Sequence, residues 1–307
     1  MQELVEKLNY YTKLYDEGHP AISDKEWDDL YFKLQEMEKK TEVVMANSPT
    51  NHIDFVVKSE LEKVEHNHPM LSLAKTKSFD DVITFADHRE LLGMAKIDGL
   101  TCSLCYIDGV LTRAETRGNG LIGEDITHNI VHVKEVPLTI PAKGEVIIDG
   151  EIICTYNDFD EFKGEFSNPR NFAAGSIRLL DASECAARHL TFIAWDCIRG
   201  LEQCRTLNDK FIYMCQEWKL HPAPWLKLPA DMVDNDHLTH LSILLKEWAR
   251  DDNIPIDGLV FKYNDCEYYS SLGATGHHFR GGLAYKFYDE EYETILRDIE
   301  WSIGKTG

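Results

Sequence analysis

The sequence predicts an α+β protein in which a small helical unit precedes a larger part made mainly of antiparallel sheets and flanking helices. Residues 1–40 carry apolar side chains at helical spacing. Residues 93–155 are instead typical of strands, and a strand over 101–107 is joined by an Asp108-Gly109 turn to a strand over 110–116. Helices and strands then mix without regular strand–helix–strand alternation, which favours the α+β class.

The composition is that of a globular protein with real cores. The 307 residues are 43% hydrophobic and 28% charged, enough for one large domain or two smaller ones. No apolar run approaches the roughly 18 residues needed to span a bilayer. The first residues also lack the basic and apolar regions of a signal peptide. We therefore expect a cytoplasmic protein with no membrane partner, and nothing in the sequence demands more than a monomer.

Charge and cysteine spacing exclude two functions for the chain alone. The net charge of −21 argues against a tight grip on nucleic acid, which needs basic surface. The single C-x-x-C pair, Cys102 and Cys105, lies in a predicted strand, where positions three apart face opposite ways. No second pair or close histidine pair completes a zinc site, so we expect the eight cysteines to be buried free thiols.

Two acidic residues near the start of the second helix either stabilise that helix or form part of a binding site. Residues 23–26 (Ser-Asp-Lys-Glu) form a capping-box pattern. Asp24 and Asp28 are four apart and therefore share one helical face. Carboxylates in the first turns of a helix commonly just offset its macrodipole. By themselves they do not establish a binding site.

The sequence Lys96-Ile97-Asp98-Gly99 is the first sign of chemistry. On an extended strand both charged side chains would point to one face, and Gly99 permits a sharp turn after them. A lysine held beside a carboxylate in a cleft is a candidate nucleophile. The alternative is a surface turn with a solvated ion pair, because Asp-Gly is a common turn signal.

A glycine-rich stretch matches the dinucleotide-binding pattern G-x-G-x-x-G over residues 118–123. The stretch lies within predicted antiparallel hairpins, and no second strand–helix–strand unit is visible. We therefore interpret it as a turn that presents Arg117. A second unusual feature is Asp149-Gly150-Glu151, which interrupts an apolar strand. Acids there are costly without partners, which favours a functional site.

Several charged residues lie in or beside apolar strands and suit a phosphate-centred reaction. Cations can neutralise phosphate charge in the transition state and lower the pKa of a neighbouring lysine. Acids can hold a ribose hydroxyl or a hydrated Mg²⁺. The set comprises Lys96, Asp98, Arg117, Glu151, Lys262 and Lys286.

These motifs resemble, in order and approximate spacing, those of the nucleotidyltransferase domains of polynucleotide ligases and capping enzymes. The matching runs are Lys96-x-Asp98-Gly99, Asp149-Gly150-Glu151, Asp257-Gly258-Leu259-Val260-Phe261-Lys262 and Tyr285-Lys286. More narrowly, the chain resembles NAD-dependent DNA ligases. The runs that carry this narrower resemblance, most of which ATP-dependent ligases lack, are Ser48-Pro49-Thr50, Pro69-Met70-Leu71-Ser72-Leu73, Thr116-Arg117-Gly118-Asn119-Gly120, Asn168-Pro169-Arg170-Asn171, Gly175-Ser176-Ile177-Arg178 and Leu272-Gly273-Ala274-Thr275.

The resemblance implies a domain organisation. Residues 1–57 would form a helical domain that contacts the nicotinamide mononucleotide (NMN) half of NAD⁺, and residues 58–292 the adenylation domain. Residues 293–307 resemble the start of an OB-fold. On this view the chain is an adenylation fragment that lacks the DNA-gripping domains. It should self-adenylate but bind nicked duplex DNA weakly and seal nicks poorly.

The resemblance also implies the chemistry. Lys96 would attack the α-phosphorus of NAD⁺, form lysyl-AMP and release NMN, with Mg²⁺ as cofactor. AMP would then pass to the 5′-phosphate of a DNA nick, as replication and repair require. Lys262 and Lys286 would bind the α-phosphate, and Asp98 would orient Lys96.

Further roles carry over from the resemblance. Arg117 and Glu151 would hold the ribose. The nucleoside pocket would comprise Trp195, stacked on adenine, with Ser72 and Leu73. Arg170 and Arg178 would serve the later, DNA-dependent steps. The residues that stand where the family contacts NMN are Tyr15, Asp24, Trp27 and Asp28.

The chain departs from the family pattern at four places. Met94 replaces a glutamate two before the nucleophile, and Asp16 replaces a histidine after the first tyrosine. Trp27 replaces a tyrosine, and Arg280-Gly281 replaces an arginine–tryptophan pair. Contacts to adenine and nicotinamide are therefore expected to differ in detail.

Two other classes remain alternatives. One is a nucleotidyltransferase that uses ATP or GTP, such as an RNA ligase or a capping enzyme; residues 1–50 argue against it, because those enzymes lack that element. The other is a catalytically inert dinucleotide-binding or protein-interaction module. The presence of Lys96, Glu151, Lys262 and Lys286 argues against an inert module.

Overall fold

The computed structural model describes residues 1–16, 21–41, 48–50, 61–162, 166, 168–275 and 278–287. Two long helices form the N-terminal unit, and eight further helices and eleven strands follow in the described part. The helices are α1 (Gln2–Asp16), α2 (Asp24–Thr41), α3 (Phe79–Ala86), α4 (Thr127–Ile130), α5 (Tyr156–Phe159), α6 (Pro169–Ser176), α7 (Ala182–Ala186), α8 (Leu207–Gln216), α9 (Asn235–Asp251) and α10 (Cys266–Ser271).

The strands build one two-stranded, one five-stranded and one four-stranded sheet in the described residues. Every pairing is antiparallel except that of β2 with β11, so the predicted α+β class with largely antiparallel sheets is confirmed. The strands are β1 (Lys63–Glu65), β2 (Ser72–Thr76), β3 (Leu91–Ile97), β4 (Leu100–Ile107), β5 (Val110–Thr116), β6 (Ile122–Glu124), β7 (Glu145–Ile153), β8 (Thr191–Arg199), β9 (Trp225–Leu228), β10 (Ile256–Tyr263) and β11 (His278–Lys286).

The N-terminal helices pair through a small apolar core. Val5 and Leu8 of α1 pack with Tyr31 and Leu34 of α2. The capping box is confirmed. The Glu26 N–H donates to Ser23 Oγ at 3.2 Å, and the Ser23 N–H donates to Glu26 Oε2 at 2.8 Å.

Two larger sheets carry the rest of the fold. The five-stranded sheet runs β2-β11-β10-β3-β9, and the four-stranded sheet runs β5-β4-β7-β8. The main core covers the four-stranded sheet, and a second core packs α3 and α9 on the five-stranded sheet. The strands that hold the predicted lysines, β3, β10 and β11, are therefore adjacent in one sheet.

Some local predictions need correction. Residues 157–188 form three short helices, α5, α6 and α7, rather than one longer helical stretch. All eight cysteines are free thiols, but only four are buried, and Cys215 is exposed. The predicted domain boundary at 57/58 and the segment 293–307 lie outside the described residues. No helix in the described part is long and apolar enough to cross a membrane.

Candidate active site

A cavity of about 660 Å³ has walls from the N-terminal helices and from both large sheets. Most of the predicted site residues line it. Asp98 is not part of this wall, Arg178 lies outside it, and the Asp24 side chain is outside the described residues. The predicted residues that line the cavity are Tyr15, Trp27, Asp28, Ser72, Leu73, Lys96, Arg117, Glu151, Arg170, Trp195, Lys262 and Lys286.

Strand pairing brings two of the lysines together across β10. Gly258 lies opposite Lys96 of β3 on one side and opposite Lys286 of β11 on the other. A Cβ at Gly258 would lie 2.2 Å from the backbone oxygen of Tyr285, so only glycine allows the strands to approach this closely. Residues that are 190 positions apart in the chain thereby share one patch of the sheet.

Asp257 joins these lysines at a register shift between Ile256 and Gly258. Lys96 Nζ donates to Asp257 Oδ1 at 2.9 Å and to Oδ2 at 3.1 Å, and Lys286 Nζ donates to Oδ2 at 2.7 Å. Burial by itself raises the pKa of Asp257, but Lys96 and Lys286 outweigh that effect and hold it well below its usual range. Asp257 is therefore a carboxylate that spans two cations.

Asp28 of α2 extends the cluster into the N-terminal unit. Its Oδ2 lies 2.8 Å from Lys286 Nζ, and its Oδ1 accepts a hydrogen bond from Lys75 Nζ at 3.0 Å. Burial alone lowers the pKa of Lys286, but Asp257 and Asp28 outweigh it and hold that pKa well above its usual range. Burial is also the largest effect on Lys75, whose pKa is lowered to about 8. The charges of Lys286 and Lys96 lower this pKa as well, whereas Asp28 raises it.

Lys262 of β10 is held in a separate ion pair that is buried. Its Nζ donates to Asp196 Oδ2 at 2.7 Å, and the two side chains are 3% and 6% exposed. Burial alone lowers the pKa of Lys262, but Asp196 outweighs it, and the net shift is upward. The ammonium also lies 4.8 Å from the ring centroid of Trp195 on β8. A lysine, a carboxylate and an aromatic face thus meet at the cavity wall.

The two acids of β7 point to the same face and have different partners. Glu151 Oε1 accepts from Thr101 at 2.8 Å, while Oε2 is buried without a hydrogen-bond partner among the described residues. Burial raises the pKa of Glu151 to about 7, against the hydrogen bond from Thr101 and the nearby cations. Asp149 Oδ2 lies 2.8 Å from His68 Nε2. Both acids line the cavity, and their role in a functional site stays a prediction.

The glycine-rich stretch is a turn, as its sequence predicts. Gly118 and Gly120 have φ of 52° and 87°, which side chains rarely adopt. A Cβ on Gly118 would lie 1.9 Å from the Ile122 oxygen. The turn connects β5 to β6 and opens no helix that could cradle a dinucleotide. It holds the backbone of Arg117, whose N–H donates to the Thr101 oxygen at 3.0 Å.

Arg170 and Arg178 differ in their surroundings. Arg170 follows Pro169 in the first turn of α6, and its Nη1 donates to Asp98 Oδ1 at 3.1 Å. Its guanidinium lies 5.4 Å from the ring centroid of Tyr15, so it connects the two parts of the chain. Arg178 lies beyond α6 and donates to Glu124 at 2.7 Å. Of the two arginines, only Arg170 reaches the cavity.

Four residues that complete these contacts are not predicted from the sequence: Asp257, Asp196, Lys75 and His68. Asp257 opens a motif already recognised, so an acid preceding Gly258 was an available signal. Asp196 ends a predicted apolar strand and could have been grouped with the other strand acids. Lys75 and His68 carried no local signal, because a lone lysine or histidine in a polar stretch is ordinary.

Comparison with known proteins identifies the family. The model of the NAD-dependent DNA ligase adenylation domain matches residues 58–290. This chain belongs to the NAD-dependent DNA ligase family. A second model, the DNA ligase-like N-terminal NAD⁺-binding domain, matches residues 1–54. The resemblance stated from the sequence is thereby confirmed, and the chain contains the adenylation part of such a ligase.

Curated relatives are DNA ligases. The DNA ligase of Lachnoclostridium phytofermentans is 36% identical over 99% of this chain and 47% of its own length. That of Ruminiclostridium cellulolyticum is 35% identical over 100% of this chain and 47% of its own. The chain therefore spans about half the length of these relatives. Among solved structures, a mycobacterial DNA ligase D complexed with ATP and MES has a TM-score of 0.43 at 15% identity, covering 72% of this chain and 60% of that one.

Proposed function

We propose that this chain performs the self-adenylation step of an NAD-dependent DNA ligase, with Lys96 as the nucleophile. The observation that carries the proposal is that Lys96 and Lys286 line a cavity bordered by the N-terminal helices, while Asp257 holds both ammonium groups together. The family membership supports NAD⁺ as the AMP donor. Residues 1–57 would be the NMN-contacting domain, residues 58–292 the adenylation domain and residues 293–307 the start of an OB-fold.

The nucleophilic step follows from the lysine cluster. The lone pair of deprotonated Lys96 Nζ forms a bond to the α-phosphorus, the bond from phosphorus to the bridging oxygen breaks, and that oxygen leaves with the electron pair as part of NMN. Two protons leave the nitrogen, one from the ammonium before attack and one from the amine as the phosphoramidate forms. Both go to solvent, because Asp257, with its low pKa, is a weak base. Asp98, paired with Arg170, would fix the end of strand β3 and thereby the position of Lys96.

Two lysines would hold the α-phosphate. Lys286 and Lys262 now contact carboxylates, Asp257, Asp28 and Asp196, and a phosphate would replace part of these contacts. Cations fixed in advance around a phosphate stabilise the charge that moves during transfer. Their side chains are already held in place by these carboxylates, of which Asp28 and Asp196 are buried and Asp257 is half-buried.

The nucleoside and NMN contacts fit the remaining walls. Trp195 offers a face for adenine, with Ser72 and Leu73 at the start of β2. Arg117 and Glu151 Oε2, which has no hydrogen-bond partner in the described part of the chain, would hold the ribose. On the NMN side we propose Tyr15, Trp27 and Asp28, together with Asp24, because aromatic rings and carboxylates suit a cationic ring.

Magnesium fits this cavity in a limited way. No group of three His, Cys, Asp or Glu side chains that could hold a metal occurs in the described ranges. Mg²⁺ commonly keeps several waters and binds through one or two carboxylates plus substrate phosphates. Glu151 Oε2, which is buried and has no hydrogen-bond partner among the described residues, would accept a hydrogen bond from such a water. Bound there, the ion would supply positive charge beside the phosphates.

The whole ligase reaction is a broader proposal. AMP on Lys96 would pass to the 5′-phosphate of a nick, with Arg170 and Arg178 serving the DNA-dependent steps. The acidic chain alone would bind nicked duplex weakly. We propose a monomer acting in the cytoplasm, where NAD⁺ and DNA occur together.

Intact-mass measurement tests the proposed function. Wild-type chain mixed with NAD⁺ and Mg²⁺ should gain one AMP, and Lys96→Ala should gain none. ATP in place of NAD⁺ should give no adduct; an adduct with ATP alone would point to the ATP-using class instead. Lys227→Ala, on β9 of the same sheet and outside the cavity wall, is the control and should label normally.

Deletion of residues 1–57 tests the NMN assignment separately. The shortened chain should lose labelling by NAD⁺, because the residues proposed to hold NMN are gone. If labelling by NAD⁺ survives the deletion at the wild-type rate, the assignment of NMN to these helices is wrong. Circular dichroism of the shortened chain shows whether the adenylation domain remains folded.

A further inference from the structure

Five charged side chains form an alternating row from the N-terminal unit to Lys96. Lys75 contacts Asp28 at 3.0 Å, and Asp28 contacts Lys286 at 2.8 Å. Lys286 contacts Asp257 at 2.7 Å, and Asp257 contacts Lys96 at 2.9 Å. All but Asp257 line the cavity. Lys75 stands at the far end of this row from the proposed nucleophile.

Lys75 is held on the side of the cavity where the helices lie. It projects from β2, and its ammonium lies 5.0 Å from the ring centroid of Trp27 and 5.2 Å from that of Tyr31. The Lys75 ammonium is thus surrounded by two aromatic rings and the carboxylate of Asp28. Such surroundings would suit a cationic ligand ring equally well.

A ligand with two phosphates and a cationic ring could replace the partners in these ion pairs, so that every charged group keeps a partner of opposite charge. Asp28 now serves two ammonium groups. When a cationic ring takes Asp28, the ammonium groups of Lys75 and Lys286 are released, and two phosphates supply two negative charges for them. A ligand that brings phosphates but no cation would leave Asp28, which is 8% exposed, without compensation.

We propose that Lys75 is a further substrate-contacting residue, which leaves Asp28 and binds the phosphate of the departing NMN. This inference rests on the proposed function. Lys286 and Lys75 would then each hold one phosphate of NAD⁺. As the bond between phosphorus and bridging oxygen breaks, the oxygen retained by NMN gains negative charge, and the Lys75 ammonium stabilises it. Lys75 would also favour NAD⁺ over ATP, through the exchange at Asp28.

The test compares Lys75→Met with Lys77→Met. Lys77 follows β2, contacts Asp29 at 3.4 Å and lies 5.4 Å from the Phe32 ring centroid, but it is not part of the cavity wall. The two variants therefore each remove one ammonium group from the contact between β2 and α2. Calorimetry would measure the affinity of each chain for NMN and for nicotinamide riboside, which lacks the phosphate.

Loss of the phosphate contact should appear as a change in the ratio of the two affinities. Lys75→Met should bind NMN about tenfold more weakly, as expected for one lost bond between charged groups, while its affinity for the riboside should stay the same or rise, because no released ammonium is left without a phosphate. Lys77→Met should behave as wild type, and Lys75→Arg should recover most of the NMN affinity. The rate of AMP labelling by NAD⁺ should fall in Lys75→Met alone.

Two results would overturn the proposal. Equal weakening of NMN and riboside binding in Lys75→Met would mean that Lys75 only docks α2. Tighter binding of both ligands would mean that Lys75 merely occupies the place of the nicotinamide ring. Failure of the proposed function gives a different pattern, because wild type and Lys77→Met would then also form no adduct with NAD⁺.

Discussion

The pKa values of single residues in this cavity are shifted by partners that lie far away in the chain. His68 shows this for a group outside the predicted set. Its Nδ1 lies 2.7 Å from Asn67 Oδ1 and its Nε2 lies 2.8 Å from Asp149 Oδ2. Burial by itself lowers the pKa of His68, but the hydrogen bond and charge of Asp149 outweigh it, and the pKa is raised above 6.5.

The raised pKa predicts a pH-dependent contribution to stability. A histidine whose folded pKa exceeds its unfolded value stabilises the fold fully below the unfolded pKa and loses that contribution as pH rises through the folded pKa. His68→Gln should therefore lower the free energy of unfolding by roughly 1–2 kcal/mol near pH 5.5. The gap should narrow steadily above pH 6.5.

Urea denaturation of both proteins at several pH values would measure this gap. His237→Gln is the control, since that exposed histidine pairs with Asp234 at the start of α9, outside the cavity. A gap between wild type and His68→Gln that widens as pH rises would contradict the prediction.

At the scale of elements, the position of the site residues depends on the close approach of neighbouring strands. Gly150 separates the two acids of β7 and lies against β8. A Cβ there would lie 2.3 Å from Phe192 Cζ and 2.5 Å from the Ile193 backbone oxygen. The backbone oxygen cannot rotate away, so β7 and β8 would have to separate. Asp149 and Glu151 would move with β7.

Gly150→Ala should therefore destabilise the protein by roughly 2 kcal/mol or more, within or above the usual cost of overpacking. Gly175→Ala is the matched control: it lies in α6, and a Cβ there would meet nothing within 4 Å. That change should be neutral or stabilise the helix by about 0.5 kcal/mol. Thermal unfolding of both variants gives the comparison, and equal melting temperatures would refute this account of β7 and β8.

At the scale of the whole molecule, the ion pairs of Asp28 join the helical unit to the five-stranded sheet. On the proposed function these pairs border the dinucleotide site, so the contact between helices and sheet and the binding of substrate would use the same groups. The chain's overall charge of −21 opposes a tight grip on DNA phosphates by this chain.

The charge predicts weak DNA binding by the 307-residue chain. Its Kd for nicked duplex at 0.15 M salt should be weaker than about 1 μM, as for proteins with only non-specific contacts. Fluorescence anisotropy of a labelled nicked duplex would measure it, with an intact duplex as the control. A nanomolar Kd for the nicked duplex would show that this chain holds DNA by itself.

Much of the fold and of the site was accessible from the sequence. The helical pair, its capping box, the Asp108-Gly109 hairpin and the main strands follow from local periodicity and turn chemistry, which need only neighbouring residues. Lys96, Glu151, Lys262 and Lys286 were recognisable because charged residues in or beside apolar strands are costly without a purpose. The family resemblance rests on the same motifs. Periodicity failed over residues 157–188, where caps at Asn168 and Asp181 begin separate short helices.

Partners were decided only by the tertiary structure. The sequence cannot show that Asp257, at a register shift in β10, spans Lys96 and Lys286, because strand pairing sets which residues meet. Nor can it show that Lys75 reaches Asp28, since that contact depends on how α2 lies against β2. The sequence by itself determined the family and the charged groups that are proposed to carry the chemistry. The packing of sheets and helices determined which charge faces which, because burial and distance, rather than order along the chain, fix electrostatic partners.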